Sequence, residues 1–354
     1  MPKTWYKVVI AVVSVILVIF LIGFGVLVLN EYFPEDREDI TIDGESTKTL
    51  KVDEDINIIT YNLGYLSLDN TQDFFMDGGK NVRPKSATNV TKNLAAIKNF
   101  IESQGADIYL LQEVDLNAKR SYWTNEYEGL KEDFKGTAAY AHMFNSLYIP
   151  YPFFNTVGHV ESGLVTLNKY SVNSATRVAV PSSISWPKRA VMYKNCAIEE
   201  RVKIEDSDKE LIVYNLHLDA YGSGDKKTEQ LDVLMEQMKA EYEKGNYVVA
   251  GGDFNQTFPG VDTEKFPIID DSHYVPATLP EDYLPDNWRI AGDLNRPTSR
   301  LLNEVYSGNY ENTQLYIIDG YILSPNVELV KVETIENNFS YSDHHPVSLK
   351  IKLK

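Results

Sequence analysis

From Val8 to Leu29 the chain carries no charged residue, and the apolar run is broken only by Ser14, Gly23 and Gly25. As a helix rising about 1.5 Å per residue, it is long enough to cross a hydrocarbon core of about 30 Å. Lys3 and Lys7 stand before it, and Glu31, Glu35, Asp36 and Glu38 follow it. The positive-inside bias then makes residues 1–7 a cytoplasmic tail and 8–30 a signal anchor. The rest of the chain is sent to the extracytoplasmic side of the cell membrane, as a single-pass protein. Two other readings compete. A cleaved signal peptide would have a shorter apolar stretch and a small-x-small cleavage site. A helix buried in a core would show polar breaks.

All 51 acidic residues lie beyond this run, against 34 Lys and Arg in the whole chain, and the formal net charge is -17. Such a body repels polyanions and lacks a broad basic footprint, so no stable nucleic-acid binding is expected. Bound cations can still invert the field locally, so an enzyme acting on anions stays open. Cys196 is the only cysteine, which rules out an internal disulfide and a thiolate metal site. This fits a bacterial surface protein with a large unstapled core. Residues 31–50 read as an acidic spacer and 51–354 as one folded domain.

Short β-branched and aromatic runs punctuate that domain, at Ile56–Tyr61, Ile108–Leu111, Leu164–Leu167, Leu211–Leu216, Tyr247–Ala250, Tyr316–Leu323 and Val347–Leu353. Helical periodicity appears over Thr88–Ser103 and Lys227–Lys244, with Gly105 and Gly245 as C-caps. The alternation gives an α/β class. Residues 262–314 are irregular, and a loop of that size is usually functional.

Polar residues recur where these runs end. Asn62 follows IITY, Glu113 lies in LLQEVD and His217 in VYNLHLDA. Asp253 and Asn255 lie in GGDFNQ, Asp319 in IIDGYILS, and Asp343, His344 and His345 in SDHHPV. Each alone has a plain explanation as a turn, a strand-end acid or a structural histidine. Together they match the needs of phosphoester hydrolysis. Carboxylate and amide oxygens from Glu113 and Asn62 suit a hard cation such as Mg²⁺ or Mn²⁺. His217 and His344 can bind or protonate phosphoryl and leaving oxygens. Asp319 and Asp343 can orient imidazole rings.

The ordered series YNLG, LQEVD, SGLVTLNKY, NLHLDA, GGDFNQ, IDGYILS and SDHHPV resembles the motifs of the endonuclease/exonuclease/phosphatase superfamily. That group contains pancreatic-type deoxyribonucleases, abasic-site endonucleases, inositol polyphosphate 5-phosphatases and bacterial neutral sphingomyelinases. The resemblance spans Ile56 to the C-terminus and suggests a membrane-anchored bacterial member. It implies a four-layer α/β/β/α sandwich, two mixed β-sheets flanked by helices, here preceded by one transmembrane helix. It implies that Glu113 is the main metal ligand with Asn62 beside it, and that Asp343 supports the metal side. Asp253 would orient or deprotonate the attacking water, or bind a second metal. Asn255 would hold the phosphoryl group, His217 would contact a phosphoryl oxygen, and His344 would sit opposite, paired with Asp319. His345 is expected to be variable and near the rim, and His159 is either a cleft residue or an ordinary loop histidine. Arg189 and Arg300 are expected either to bind substrate phosphate or to form surface ion pairs. No match appears for the extra active-site tyrosine of abasic-site endonucleases.

The expected function is hydrolysis of a phosphodiester or phosphomonoester, with a phospholipid head group favoured because a tether confines the domain to the lipid surface. The alternatives are an extracellular nuclease and a non-catalytic surface binding protein on the same fold. No protein partner is expected.

Overall fold

Strands covered on both faces lose polar alternation, and Ile56–Asn62, Ile108–Asp115, Glu210–His217 and Tyr247–Asp253 are of that kind, buried along nearly their whole length. They sit at the centres of two seven-stranded sheets in a computed structural model that describes residues 4–29, 31–181, 184–186, 188–220 and 224–354. Lys3, one of the two cationic residues expected before the span, lies outside the described residues.

The first sheet runs Val327–Thr334, Val347–Leu353, Ile56–Asn62, Ile108–Asp115, Gly158–Asn168, Thr137–Ile149, Ile42–Gly44. The second runs Arg37–Asp39, Val172–Ala179, Cys196–Lys203, Glu210–His217, Tyr247–Asp253, Asp319–Leu323, Arg289–Ala291. One central pair in each is parallel and the other pairings are antiparallel, so both sheets are mixed. Successive residues point to opposite faces. Ile58 and Leu110 therefore meet Val213, Val249 and Tyr321 between the sheets. Ile59 and Tyr109 meet Val90, Ile97 and Ile101 of the helix Ala87–Gln104. Ile212 and Val248 meet Leu231, Leu234 and Met238 of the helix Gly224–Glu243. This is the expected four-layer α/β/β/α sandwich. Gly105 ends the first helix in the left-handed region, at φ 60°, and its N–H donates to Ile101 O.

Two expectations need correction. Residues 31–50 are not a free spacer. Arg37–Asp39 is an edge strand of the second sheet and Ile42–Gly44 an edge strand of the first. Edge strands of three residues need little apolar content, which is why acidic composition hid them. The run Tyr316–Leu323 is not one strand either. Leu315–Tyr316 pairs with Ser299–Arg300, and only Asp319–Leu323 joins the second sheet. Between them Thr298 Oγ1 accepts from the N–H groups of Ile318 and Asp319.

The helix Trp5–Leu29 has no buried residue, which removes the reading of it as a core helix. It is long and apolar enough to cross a membrane. Immediately after it, Glu31 accepts from Arg189 Nε at 3.0 Å and Lys194 Nζ at 2.9 Å.

Candidate active site

The central strands of both sheets stop at one end of the sandwich, and register brings their last residues side by side. Asp253 is opposite His217 on one side and Asp319 on the other. Gly252 makes this pairing possible. A Cβ there would sit 1.9 Å from Leu216 O, so only glycine lets the two strands approach. In the first sheet Asn62 is opposite Gln112. The next residue, Glu113, lies in a bulge with φ 54°, a conformation that costs a non-glycine residue energy. The bulge turns its carboxylate towards Asn62 and His217.

Asp253 Oδ2 is the hub. It accepts from Asn62 Nδ2 at 3.1 Å and lies 3.6 Å from His217 Nε2 and 3.7 Å from His344 Nε2. Its other oxygen accepts from Asn255 N. Glu113 Oε1 lies 3.3 Å from Asn62 Nδ2 and 3.8 Å from His217 Nε2. His344 Nδ1 donates to Asp319 Oδ2 at 2.9 Å, and its Nε2 donates to Ser299 Oγ at 3.2 Å. Burial pulls the His344 pKa down, but Asp319, then Asp343 and Asp253, outweigh it and lift it to about 10. The ring is therefore an imidazolium at neutral pH. Burial pushes Asp319 up to about 6, with His344 opposing the shift, so it remains ionised there and the two form a buried ion pair.

The residues on the Glu113 side fit a hard divalent cation. Asp343 is pushed up to about 6, first by burial and also by the Glu113 carboxylate, with His344 and Arg300 opposing. Negative charge of this kind around Asp343 is what a cation would relieve, and the two carboxylates offer oxygen donors. Gly64 makes room for Asp343, since a Cβ there would lie 2.7 Å from Asp343 Oδ1. Asn62 departs from the expected ligand geometry. Its Oδ1 accepts from Gly64 N, which turns its N–H groups onto the two carboxylates and makes it a positioning residue. Asp253, Asp319 and His344 also bring three donor atoms within 4.8 Å of one another. With Nδ1 of His344 held by Asp319, the same three groups also form an acid–base network.

Asn255 lies in the cluster, at φ 50°, with Nδ2 donating to Leu218 O and Oδ1 accepting from Tyr274 OH. Its amide keeps a second N–H beyond these bonds. The two arginines are not brought in. Arg300 is buried and donates to the carbonyls of Asp69 and Gln72, clamping that loop and facing Asp343 only as a charge. Arg189 is held by Glu31 next to the N-terminal helix. His159 lies on the strand Gly158–Asn168 and stacks on Trp123 at 5.8 Å, outside the cluster. Sequence reasoning missed Ser299, Thr298, Tyr274 and Lys227, whose Nζ reaches Asn255 O. Tyr274, Thr298 and Ser299 lie in the irregular stretch 262–314 and Lys227 at the start of a helical pattern, outside every motif.

His345 is the clearest correction. It is fully buried, not at the rim, and stacks on Phe339 at 3.9 Å. Nδ1 donates to Pro297 O and Nε2 accepts from Phe339 N, which is the neutral ring. Burial holds its pKa down at about 4. A base depressed on folding contributes stability above its unfolded value near 6.5, and this is lost as pH falls towards about 4. Between pH 7 and 5 the parent protein should lose about 2 kcal/mol more stability than His345→Gln. Denaturant titrations of both at the two pH values check this, and parallel losses would refute it.

Imidazoles and carboxylates gathered in this way at the ends of the central strands are groups suited to acid–base chemistry. The Endonuclease/Exonuclease/phosphatase family model matches residues 59–344, and the chain belongs to that family. It is thus a hydrolase of the nuclease, phosphatase and phosphodiesterase class. Its fold is similar to that of an endonuclease/exonuclease/phosphatase from Beutenbergia cavernae DSM 12333, with TM-score 0.56 and 16% identity over 84% of this chain and 72% of that one. It is also similar to a functionally unknown conserved protein from Enterococcus faecalis V583, with TM-score 0.52 and 15% identity over 84% and 100%. D. rerio TDP2 complexed with single strand DNA product gives TM-score 0.51 and 14% identity over 85% and 100%. No curated protein matches the chain.

Proposed function

We propose that this chain is a membrane-anchored, extracytoplasmic phosphoesterase dependent on Mg²⁺ or Mn²⁺, acting on phosphoesters at the lipid surface. The observation that carries this reading is where the anchor joins. The chain enters the sandwich at Arg37–Asp39, whose partner strand ends at Ala179, and Ala179 N donates to Asp36 O. On the next strand Cys196 is paired with Ala179, and Ala197 with Leu216, the neighbour of His217. The N-terminal helix thus leaves from the same end of the sandwich as the catalytic cluster. A tether there favours lipid head groups over soluble substrates by effective concentration.

Glu113 and Asp343 would hold the cation, steadied by Asn62. A bound Mg²⁺ supplies charge relief on the phosphoryl oxygens and a positioned water. Asp253 orients the attacking water from its position between the two imidazoles. His217 and Asn255 bind phosphoryl oxygens. His344, held by Asp319, offers its Nε2 proton to the charge that builds on the phosphoryl group or the leaving oxygen.

The nuclease reading keeps one specific support. A protein of the same fold, D. rerio TDP2, is complexed with single strand DNA product, so the fold gives no backing to the expectation of no nucleic-acid binding. The net charge of -17 argues against a broad polyanion surface but not against a strand end reaching the cluster. Hydrolysis assays on lipid and single-stranded DNA separate the two readings. For topology, protease added to intact cells is expected to remove the body. Protection of the body, or its release into the medium with a new N-terminus near Asn30, would refute the anchor.

A further inference from the structure

The strands Thr137–Ile149 and Gly158–Asn168 form a long hairpin. Ser162 pairs with both Phe144 and Asp115, and the hairpin continues past that point to Ile149 and Gly158. Asp115 ends the strand that carries Glu113, so the tip projects beyond the catalytic end of the first sheet. The tip presents rings to solvent: Phe153 is 81% exposed and Phe154 97%, with Tyr148 and Tyr151 beside them also exposed. The loop that presents them is held in place. Val157 N donates to Tyr151 O, Tyr151 packs on Phe75, and Arg83 donates to Asn155 Oδ1.

The base of the tip lies against the N-terminal helix. Gly23, Val26 and Leu27 share one groove with Leu147, Tyr148 and Pro150. Phe24 meets Trp186 edge-on at 5.4 Å, and the paired Glu31 fixes the joint. Gly23 to Leu27 belong to the apolar run itself. If that run crosses a bilayer, its last turns lie at the outer boundary, and whatever packs on them lies at the same depth. Tyr and Trp are the side chains enriched at that depth, and exposed phenylalanines there gain an apolar surrounding.

We propose that the tip at residues 147–154 is a membrane-docking element, dipping Phe153 and Phe154 into the lipid interface and holding the catalytic end of the sandwich against the head groups. The proposal rests on the reading of Trp5–Leu29 as a membrane anchor. The occupant of this surface is the phospholipid bilayer, not a second copy or a partner protein, because the surface is continuous with the membrane helix.

The test uses the full chain in phosphatidylcholine vesicles. Cys196 is the only cysteine and is buried, so Phe154→Cys and, separately, Asp208→Cys each give one accessible thiol for an environment-sensitive fluorophore. Asp208 lies in the turn at the opposite end of the sandwich, with its side chain 85% exposed. Vesicle flotation comes first. In floated protein the label at 154 should be quenched by nitroxide-bearing lipid and shielded from aqueous iodide, and the label at 208 should behave in the opposite way. Floated protein with both labels equally open to iodide overturns docking while the anchor stands. Shielding of position 154 from both quenchers means that protein covers the tip, and also overturns it. A chain that does not float refutes the anchor, and the proposal with it.

Discussion

His344→Asn is expected to lower phosphoester hydrolysis by about 10²–10⁴-fold, the range for loss of a positioned acid. That corresponds to about 3–5 kcal/mol of transition-state stabilisation. Asparagine is chosen for a structural reason. His344 Nδ1 and Asp319 Oδ2 are 2.9 Å apart and buried. An alanine would leave the Asp319 carboxylate alone in the interior, at a cost of about 3–5 kcal/mol in stability. The asparagine amide can still donate to Asp319, but nothing replaces the Nε2 proton. Activity should then collapse while the fold survives, and His344→Ala should lose both. Asp319→Asn removes the charge that holds the imidazolium and should fall between the parent and His344→Asn in rate. Steady-state rates with unfolding curves on the same samples check this. A His344→Asn variant with near-parental rates on any hydrolysed ester would remove His344 from the chemistry.

Glu113→Gln is expected to lose metal binding and, with it, at least about 100-fold in rate, since even outer partners of metal ligands cost about 10–100-fold. Stability reads this without any substrate. A cation at about 100 times its dissociation constant stabilises the folded state by about 2.7 kcal/mol. Mn²⁺ should therefore raise the unfolding midpoint of the parent chain, and at the same concentration raise that of Glu113→Gln far less. Asp343→Asn should share the defect. Equal Mn²⁺ shifts in the parent and both variants would mean that the cation binds elsewhere.

The sandwich was legible because its central strands announce themselves. Tyr247–Asp253 reads as an apolar run ending in a polar residue, Ile56–Asn62 is interrupted only by Asn57 and Thr60, and the ends of such strands are where side chains can gather. The grouping of Asp253, His217, Asp319 and His344 was what the resemblance of the motif series implied; strand register sets Asp253 beside His217 and Asp319, and His344 joins them from outside these strands. What sequence hid is what depends on long-range pairing. The edge strands at Arg37–Asp39 and Ile42–Gly44 carry no apolar pattern of their own and form only because a partner offers free hydrogen-bonding groups. Arg300 looks like a phosphate binder until the carbonyls of Asp69 and Gln72 are seen to take its donors. His344 and His345 are adjacent in sequence, yet one faces the cluster and the other stacks under Phe339. The bulge at Glu113 has no signature, because its left-handed residue is not glycine.

In the proposed site a divalent cation, the His344–Asp319 pair and a lipid-facing end of the sandwich act together on one ester. The most direct test is ester turnover by the full chain in vesicles containing sphingomyelin and phosphatidylinositol, with single-stranded DNA and inositol phosphates assayed in parallel, in Mg²⁺ and in excess chelator. The expected result is turnover of a lipid ester that stops in chelator and is more than about 100-fold slower in His344→Asn. Turnover of DNA alone would transfer the assignment to the nuclease reading. No turnover of any ester, or turnover that persists in chelator or in His344→Asn, would contradict it.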